Sequence, residues 1–479
     1  MNSQLSDQDA ITNDSVVSFQ TSQGLESRGT LLRLTRHQAV FEVYSAAEAL
    51  RVSEVLDGFK VFINNQLVYS GRGIIHNLVS SGPTLVCEAR LDDVWVDLDR
   101  LCASLSNAGL QAEFDGFFRQ WQKHFTIGSE YRLFVSELQS FFHDLRLWLE
   151  HVELGIRSRP SGDGQQFQRD VARQLGQNTL SIFQNYVERF EGLCAGLEPE
   201  AVPAHQAHIR RQMHPLLLCS PFVYRTFSKP MGYAGDYEIV NMIMRDPFEG
   251  ASLFAKIVNY CFLNQKVASA HQNRIKFLVD RLVEEGLRTS ADGRAMRALS
   301  LGCGPAVEVQ HFMAHGSLAS KASFELLDFN DETLQHARQA VLAASRQHGV
   351  PCPTLRLTRK SVHQIVKEAA RSNQGQSGPL YDFVYCAGLF DYLTDQVCRR
   401  LMDVMYNWLA PGGLLVATNV APSNPLRYGM EYLLDWNLVY RTPAQLATLG
   451  PERAGPDVRV KSDLTGVNIW TEVRKPANG

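Results

Sequence analysis

The stretch RALSLGCGPAVE, from Arg297 to Glu308, decides how this chain is organised. Leu299 to Leu301 is typical of the end of a short buried strand, and Gly302 and Gly304 interrupt it before a helical pattern begins near Val307. In an α/β sheet, a strand, a glycine turn and a helix meet at the carboxyl edge, where ligands bind. The two glycines allow the backbone to approach a ligand closely because they carry no Cβ.

The turn lacks one glycine of the dinucleotide-binding fingerprint. That fingerprint requires a third glycine where this chain has Val307. The difference argues against a nicotinamide or flavin cofactor. Cys303 and Glu308 fit a different nucleotide-like ligand.

Four further strand patterns follow the turn in the order that a parallel sheet requires. They run from Phe324 to Asp328, Leu355 to Leu357, Tyr381 to Cys386 and Leu414 to Thr418, and Pro411-Gly412-Gly413 turns the chain before the last of them. Each segment alone has a plainer explanation, such as an ordinary turn or a helix cap. Unrelated turns need not fall in this order, so we infer that the ligand is S-adenosyl-L-methionine.

Several residues at the strand ends are predicted to bind this cofactor. Asp328 ends the second strand, where a carboxylate accepts hydrogen bonds from ribose hydroxyls. The loop after the third strand is expected to flank the adenine. The predicted cofactor-binding residues are Gly302, Gly304, Glu308, Asp328, Phe329, Ser361, Val362 and Gly388.

From about Ala270 to Lys475 the chain resembles the class I methyltransferase family, on the ordered segments quoted above. The resemblance implies an α/β, Rossmann-like domain. We expect it at residues 246–479, after a tail at 1–15, a small antiparallel β-barrel at 16–95 and a helical region with a lid-like loop at 100–245.

Composition limits the possible classes of protein. The 479 residues are 45% hydrophobic and 20% charged, which is typical of a globular protein, and the net charge of −3 gives no sign of a nucleic-acid partner. The nine cysteines are scattered, without a CxxC pair or a His/Cys cluster at metal-ligand spacing. The polar N-terminus does not have the pattern of a signal peptide, and no apolar run is long enough to cross a bilayer. We expect no metal, no transmembrane segment and a cytoplasmic location.

Short strand patterns with turn residues between them fill the segment from Val16 to Leu91 and predict the barrel. Asn64-Asn65 has the composition of a hairpin turn. The size and strand rhythm resemble a PilZ-type domain, a family that often binds cyclic di-GMP. Arg33 and Arg36 are a poor match for the arginine pair of the binding members. A structural or interaction barrel is therefore favoured over a second-messenger sensor.

A helical pattern follows the barrel. Seven apolar residues recur at alternating steps of three and four and lie on one stripe of a helix: Tyr131, Phe134, Leu138, Phe141, Leu145, Trp148 and Val152. Such a stripe usually packs inside its own domain, and the alternative is a homodimer contact. A second helical pattern runs from Phe167 to Leu193.

The segment from His214 to Met244 is rich in proline, glycine and polar aromatic residues. Pro215, Pro221 and Pro230 forbid one continuous helix, and Gly232 and Gly235 add flexible points. Loops of this composition are often functional lids, and the alternative is a structured linker. The lid hypothesis predicts that the loop from Pro230 to Tyr237 closes over the active site.

The sequence KPMGYAGDYEIVNMI, followed by LGCGPAVE, also resembles the bacterial methyltransferases of 3-hydroxypalmitic acid methyl ester biosynthesis. This resemblance covers most of the chain after about Glu113. It implies carboxyl O-methylation of a 3-hydroxy fatty acid, free or carrier-linked, to give a quorum-sensing signal. The residues alone support a methyltransferase. Methylation of another small molecule and a non-catalytic effector-binding regulator stay open.

The type of acceptor decides which catalytic residues are needed. A carboxylate is already ionised at neutral pH, so positioning supplies most of the catalysis. A hydroxyl or amine acceptor needs a base, for which Asp236 and Asp391 are candidates, although Asp391 also fits a helix cap. With Tyr233 and Tyr237, these form the predicted catalytic set.

Overall fold

The N-terminal strands form a closed barrel in a computed structural model of the chain. The order is β1-β2-β3-β6-β5-β4, and each pair of neighbours is antiparallel. The strands are β1 Val16–Gln20, β2 Glu26–Leu34, β3 Gln38–Tyr44, β4 Val55–Ile63, β5 Gln66–Ser81 and β6 Thr84–Leu91. Phe19, Phe41 and Phe59 pack against one another in its core. The prediction of a small antiparallel barrel is confirmed, and its likeness to a PilZ domain stays a prediction.

The structure describes residues 15–35, 37–44, 50–63, 66–81, 84–91, 127–158, 164–371, 380–454 and 458–477. Residues 1–14 of the predicted tail at 1–15, and the predictions for Arg36, Asn64 and Asn65, lie outside these ranges, whereas Ser15 is described and is buried. One unit comprises Met1–Lys123 with Met231–Tyr233, and the other His124–Pro230 with Ala234–Gly479. The boundary that we expect near residue 245 stays a prediction.

Strand β5 is longer than the sequence pattern predicts. The sequence pattern predicts two strands here, from Gln66 to Tyr69 and from Gly73 to Asn77, but the structure has one continuous strand with a register shift after Ile75. A Cβ on Gly71 would lie 2.6 Å from the hydroxyl of Tyr69, and one on Gly73 would lie 3.3 Å from the ring of Phe59. These glycines therefore make room for aromatic side chains and do not end the strand.

Three residues from the middle of the sequence complete this first unit. The amide of Val55 donates a hydrogen bond of 2.8 Å to the carbonyl of Gly232, and Glu54 pairs with Tyr233 in an antiparallel bridge. The carboxylate of Glu54 is buried and accepts bonds from the amide and hydroxyl of Ser22 and from the amide of Arg51. These contacts fix the conformation of the Glu54 turn.

Helices open the second unit. They are Ser129–Arg157, Gly164–Ala195, Val202–Leu217, Pro221–Ser228, Tyr237–Met244, Leu253–Leu263 and Lys266–Ala291. Of the seven stripe residues on the first helix, only Trp148 is mostly exposed, and the others pack in the core of this unit. The stripe thus has the packing role that we considered the usual one, and a homodimer stays a prediction.

Most of the segment from His214 to Met244 is helical, which differs from the predicted loop. Pro215 lies in the last turn of the helix Val202–Leu217, and Pro221 takes the first position of the next helix, where a missing amide proton costs little. The hydroxyl of Ser220 caps that helix by accepting from the amide of Val223. Within this segment, the non-helical connections are residues 218–220 and the longer stretch from Lys229 to Asp236.

A seven-stranded sheet forms the rest of the second unit. Its strands are β7 Arg297–Leu301, β8 Ser323–Asp328, β9 Thr354–Arg359, β10 Tyr381–Cys386, β11 Leu409–Val420, β12 Val458–Ser462 and β13 Asn468–Arg474. The order is β12-β13-β11-β10-β7-β8-β9; β7 to β11 are parallel, and β13 is antiparallel to β11. This is the strand order and polarity of the class I methyltransferase fold, so the predicted fold class is confirmed.

Helices cover both faces of this sheet, as parallel strands require. Those after β7 are Val307–Phe312, Ser317–Lys321, Asp331–Gln347, Val362–Arg371, Asp395–Asn407, Arg427–Leu433 and Pro443–Ala447. Pro411-Gly412-Gly413 belongs to β11 as an irregularity in its pairing with β10, where we expected a separate turn. A Cβ on Gly413 would lie 2.9 Å from the carbonyl oxygen of Ala410, which explains the glycine.

Candidate active site

The turn after β7 is anchored to the neighbouring strand and leaves open space in front of Gly304. The amides of Gly302 and Cys303 donate to the carbonyl of Leu327 at 2.8 and 3.1 Å. Gly302 and Gly304 have φ values of +66° and +51°, and a Cβ on Gly304 would meet no atom within 4 Å. Ala306 is also left-handed, at +52°, although it is a buried non-glycine residue. Strained backbone of this kind concentrates at functional sites.

The end of β8 lies directly beside this turn. Asp328 is buried, and its carboxylate accepts from the amide of Gly304 at 3.4 Å and from the amide of Asn330 at 3.1 Å. The following residue, Phe329, is half-buried. The structure therefore brings Gly302, Gly304, Asp328 and Phe329 together.

Ser361 and Val362 follow β9. Their contacts within the protein give both residues a structural role. The Ser361 hydroxyl accepts from the amide of Gln364, and the Gln364 side chain accepts from the amide of Ser361. This reciprocal pair is a capping box. Val362 is buried in the core beside the sheet. Their predicted contact with the adenine stays a prediction.

Glu308 is buried on the short helix that follows the glycine turn. Its carboxylate accepts a hydrogen bond of 2.8 Å from the hydroxyl of Tyr385 on β10. Burial raises the pKa of the Glu308 carboxyl, while the bond from Tyr385 and the charge of Arg274 oppose that rise. The side chain thus joins the glycine turn to the neighbouring strand.

Gly388 follows β10 in a left-handed conformation, with φ +89°. Its amide donates to the hydroxyl of Thr418 on β11 at 3.0 Å. A Cβ here would lie 3.0 Å from a terminal nitrogen of Arg274, so the guanidinium covers this glycine. Any larger residue would displace Arg274.

Arg274 is the main site residue that the sequence analysis missed. It comes from the helix Lys266–Ala291 and is 7% exposed, and it forms no ion pair within the described part of the chain. One terminal nitrogen contacts His271 at 2.9 Å, and its Nε is buried without a partner among the described residues. Burial lowers the pKa of Arg274, and the nearby Asp391, Tyr392 and Glu308 oppose that effect.

The sequence did carry a signal for Arg274. Ala270, Arg274, Leu278 and Leu282 follow one another at steps of four, and all are buried. An arginine inside an apolar helical stripe needs a partner, because a buried charge is costly unless it is paired.

Asp391 lies just after Gly388 and is buried. Its carboxylate accepts a bond of 2.7 Å from the amide of Val420, and its carbonyl accepts from the amide of Val439. Burial raises the pKa of Asp391, and the charges of Arg274 and Arg441 oppose the rise. Thr394 occupies the N-cap position of the next helix, so Asp391 is not its N-cap.

Asp236 and Tyr237 are held at a helix start in the second unit. The Asp236 carboxylate accepts from the amides of Glu238 and Ile239 and forms an ion pair of 3.0 Å with Arg225. Tyr237 donates to Glu332 at 2.7 Å and stacks on His336. Burial, followed by the bond to Glu332, raises the pKa of Tyr237 to about 12.

The predicted catalytic residues are divided between the two units. Tyr233 belongs with the barrel strands, whereas Asp236, Tyr237 and Asp391 belong to the second unit. Gly235 lies close to the carboxyl edge of the sheet, since a Cβ there would be 2.5 Å from the hydroxyl of Tyr392. That hydroxyl accepts a bond of 2.9 Å from the indole of Trp436. The catalytic roles stay predictions.

Comparison with known proteins gives distant structural likenesses. No protein-family model and no curated protein sequence matches the chain. A possible exported protein from Bordetella parapertussis is 17% identical, with 63% of this chain and 97% of that chain covered and a TM-score of 0.40. Magnesium protoporphyrin IX methyltransferase from Synechocystis, solved with S-adenosylmethionine, is 14% identical. The match covers 44% of this chain and 81% of that chain, with a TM-score of 0.29.

An O-methyltransferase family protein from Burkholderia thailandensis is also similar. It is 14% identical, 51% of this chain and 69% of that chain are covered, and the TM-score is 0.32. The fold is assigned from its strand order, and these likenesses add no argument to that assignment. Among the helices that the structure describes, none is both long and apolar enough to cross a membrane.

Proposed function

We propose that this protein is an S-adenosylmethionine-dependent methyltransferase acting on a small-molecule acceptor. The observation that carries the proposal is the buried guanidinium of Arg274, which forms no ion pair within the described ranges and covers the left-handed Gly388. A buried cation requires an anionic partner. A ligand with a carboxylate at one end and ribose hydroxyls at the other accounts for both Arg274 and Asp328.

The residues at the carboxyl edge fit such a cofactor. Arg274 would hold its amino-acid carboxylate, the open space before Gly304 would admit its chain, and Asp328 would accept bonds from the ribose. Glu308 would support the amino-acid end, and Phe329, Ser361 and Val362 the adenine end. When bound, the cofactor supplies a methyl group on a positively charged sulfur.

For the acceptor, we propose the carboxylate of a 3-hydroxy fatty acid, free or carrier-linked. The resemblance of KPMGYAGDYEIVNMI supports this acceptor. It is also supported by the bonds that the two candidate bases already make: Asp236 is bound to Arg225 and two amides, and Asp391 to the amide of Val420. A carboxylate needs no base, so Asp236 and Asp391 would position neighbouring groups.

The cofactor assignment is tested by calorimetry with S-adenosylhomocysteine. We expect Asp328→Ala to weaken binding by roughly 30-fold or more, because two charge-assisted hydrogen bonds are lost. Asp331→Ala is the matched control, since Asp331 is exposed and pairs only with Arg359 among the described residues. Equal affinity in the two variants would show that Asp328 does not bind the cofactor.

The acceptor is tested with labelled cofactor. The wild-type protein is incubated with a chain-length series of free and carrier-linked 3-hydroxy acids and with phenolic and polyketide acids. We expect label in a base-labile methyl ester of a 3-hydroxy acid. Transfer only to phenols or amines would replace the acceptor while leaving the cofactor assignment intact.

A further inference from the structure

The outward face of the helix Ser129–Arg157 carries several exposed apolar side chains. Leu133, Leu147, Trp148 and Leu154 are exposed on it, whereas every other helix in the described part of the chain has at most one exposed large apolar residue. The inward face of the same helix packs in the core of its unit. A concentration of exposed apolar surface on one element is typical of a contact with another protein.

Three residues of the outward face form a stripe. Ser140, Leu147 and Leu154 follow one another at steps of seven residues, so they lie along one line of the helix. The hydroxyl of Ser140 donates to the carbonyl of Ser136 at 2.9 Å, so this small side chain has no unmet donor. A small and a large residue thus lie at equal distances on either side of Leu147. If a second copy of the helix runs antiparallel and is centred on Leu147, Leu154 of each copy meets Ser140 of the other.

The charged residues beside the stripe agree with this arrangement. Asp144 and His151 lie on one flank, and His143 and Glu150 lie on the other. In an antiparallel pair of identical helices, each flank meets its own copy. Asp144 then faces His151 of the second copy, Glu150 faces His143 of the second copy, and no two carboxylates face each other. Asp144 and His143 form no hydrogen bond or ion pair within the described ranges, so both are available.

A different register is less favourable. Pairing Leu133 with Leu154 of the second copy would cover one more leucine, but it would bring Asp144 beside Asp144 of that copy. Like charges that face each other across an interface are destabilising. In the register centred on Leu147, the position opposite Leu133 would be 161, which is beyond the end of the helix at Arg157. Leu133 therefore lies outside the contact.

We propose that two copies of this chain associate through the helix Ser129–Arg157, antiparallel and with Leu147 on the two-fold axis. The contact is isologous, because the same surface of each copy meets the other. Trp148 borders it, and tryptophan is enriched at protein interfaces. Of the seven-residue stripe considered from the sequence, only Trp148 takes part, since the other six residues face the core.

Sedimentation velocity of the full chain tests the association. We expect the wild-type protein to be dimeric at micromolar concentration, and Leu147→Asp to raise the dimer dissociation constant roughly 30-fold or more. Leu133→Asp is the matched control, because Leu133 is on the same helix and is more exposed, at 70% against 44% for Leu147. Its dissociation constant should stay within about threefold of the wild-type value. Thermal melts check that both variants are folded.

Cross-linking tests the position of the two-fold axis. Two copies of residue 147 face each other across that axis, so Leu147→Cys should give a covalent dimer with a short bis-maleimide. Leu133→Cys should give no more cross-linked product than the wild-type protein, in which Cys219 and Cys352 are exposed and set the background.

A charge exchange tests the register. Asp144→Lys should weaken the dimer roughly fivefold, because a second positive group then faces His151. Adding His151→Glu should restore the wild-type dissociation constant, since each exchanged pair again has opposite charges.

Three results would overturn the proposal. One is a wild-type protein that stays monomeric up to about 100 µM. A second is a dimer that Leu147→Asp leaves unchanged, which places the contact elsewhere. The third is equal cross-linking of Leu133→Cys and Leu147→Cys, or a double charge variant that is weaker than Asp144→Lys, either of which excludes this register.

Discussion

Two arginines, Arg441 and Arg274, are buried at the same edge of the same sheet and differ in their partners. Arg441 donates to the carbonyls of Phe390 and Leu393, to the side chain of Asn419 and to Asp395. Arg274 contacts the neutral His271 and forms no ion pair in the part of the chain that the structure describes.

The difference separates a structural charge from a binding charge. Arg441 ties the turn after β10 to the end of β11, so its hydrogen bonds are complete in the protein alone. Arg274 bears the desolvation cost of burial without an ion pair among the described residues, and an anionic ligand would offset that cost. Burial alone would have placed the two residues in the same class.

The largest expected effect is on stability, from Arg441→Ala. Removing this side chain leaves buried carbonyls without donors, and we expect a loss of about 4 kcal/mol in the free energy of unfolding. Urea denaturation measures it, with Arg399→Ala, an exposed position on the helix Asp395–Asn407, as the control. If the two variants are equally stable, the hydrogen bonds of Arg441 do not stabilise the fold as proposed.

Arg274→Met should have the opposite effect to Arg441→Ala: little change in stability and a large loss of ligand affinity. We expect the free energy of unfolding to change by no more than about 1 kcal/mol, because an unpaired buried charge is replaced by a side chain of similar length. S-adenosylhomocysteine affinity should fall roughly 100-fold, measured by calorimetry. Arg281→Met is the control, because Arg281 lies on the same helix and is bound to Glu284. A large loss of stability with unchanged affinity would place Arg274 beside Arg441.

Gly304→Ala extends the same contrast to the backbone. Gly304 and Gly349 have φ values of +51° and +64°, and at neither would a Cβ meet an atom within 4 Å. Alanine should therefore cost about 1 kcal/mol of stability at each position. Only Gly304→Ala should also weaken S-adenosylhomocysteine, by roughly tenfold, because its Cβ lies in the proposed cofactor path. Equal affinities would show that the turn is only structural.

Glu191 gives the smallest expected effect of the four residues compared, and the effect is on the pH dependence of stability. Its carboxylate accepts from the amides of Tyr428 and Gly429, with Arg427 and Glu431 nearby, and burial raises its pKa to about 7. Since the folded state holds this proton more tightly than the unfolded chain does, stability should fall as pH rises from about 4.5 to 7. We expect a contribution on the order of 1 kcal/mol after screening by solvent. Urea denaturation of Glu191→Gln should lack this contribution, and an identical pH dependence in the two proteins would contradict it.

The sheet was predictable because its signals are local. Strands β7, β8 and β10 are short apolar runs with a glycine or an aspartate at the last residue or within two residues after it, so each pattern contains both the strand and its end. The start of β11 was not predictable, because Pro411-Gly412-Gly413 has the composition of a turn and only its pairing with β10 makes it a strand. Strands β12 and β13 lack a comparable boundary signal and were missed.

The site was only half predictable for a related reason. Gly304 lies just after β7 and Asp328 is the last residue of β8, so the fold alone brings them together. Arg274 and His271 come from a helix that precedes the sheet, and their proximity to Gly388 is a tertiary fact. Asp236 was singled out for its composition, but its chemistry is used in capping a helix and pairing with Arg225.

The pairing of Glu54 with Tyr233 has a consequence for synthesis on the ribosome. The two residues are separated by about 180 positions, so at typical translation rates roughly 10 to 40 seconds pass between their emergence. During that time the amide of Val55 lacks its native acceptor, the carbonyl of Gly232. A backbone amide without its native acceptor can bond to another chain. The nascent barrel is therefore the part of the molecule for which we expect the strongest dependence on chaperones.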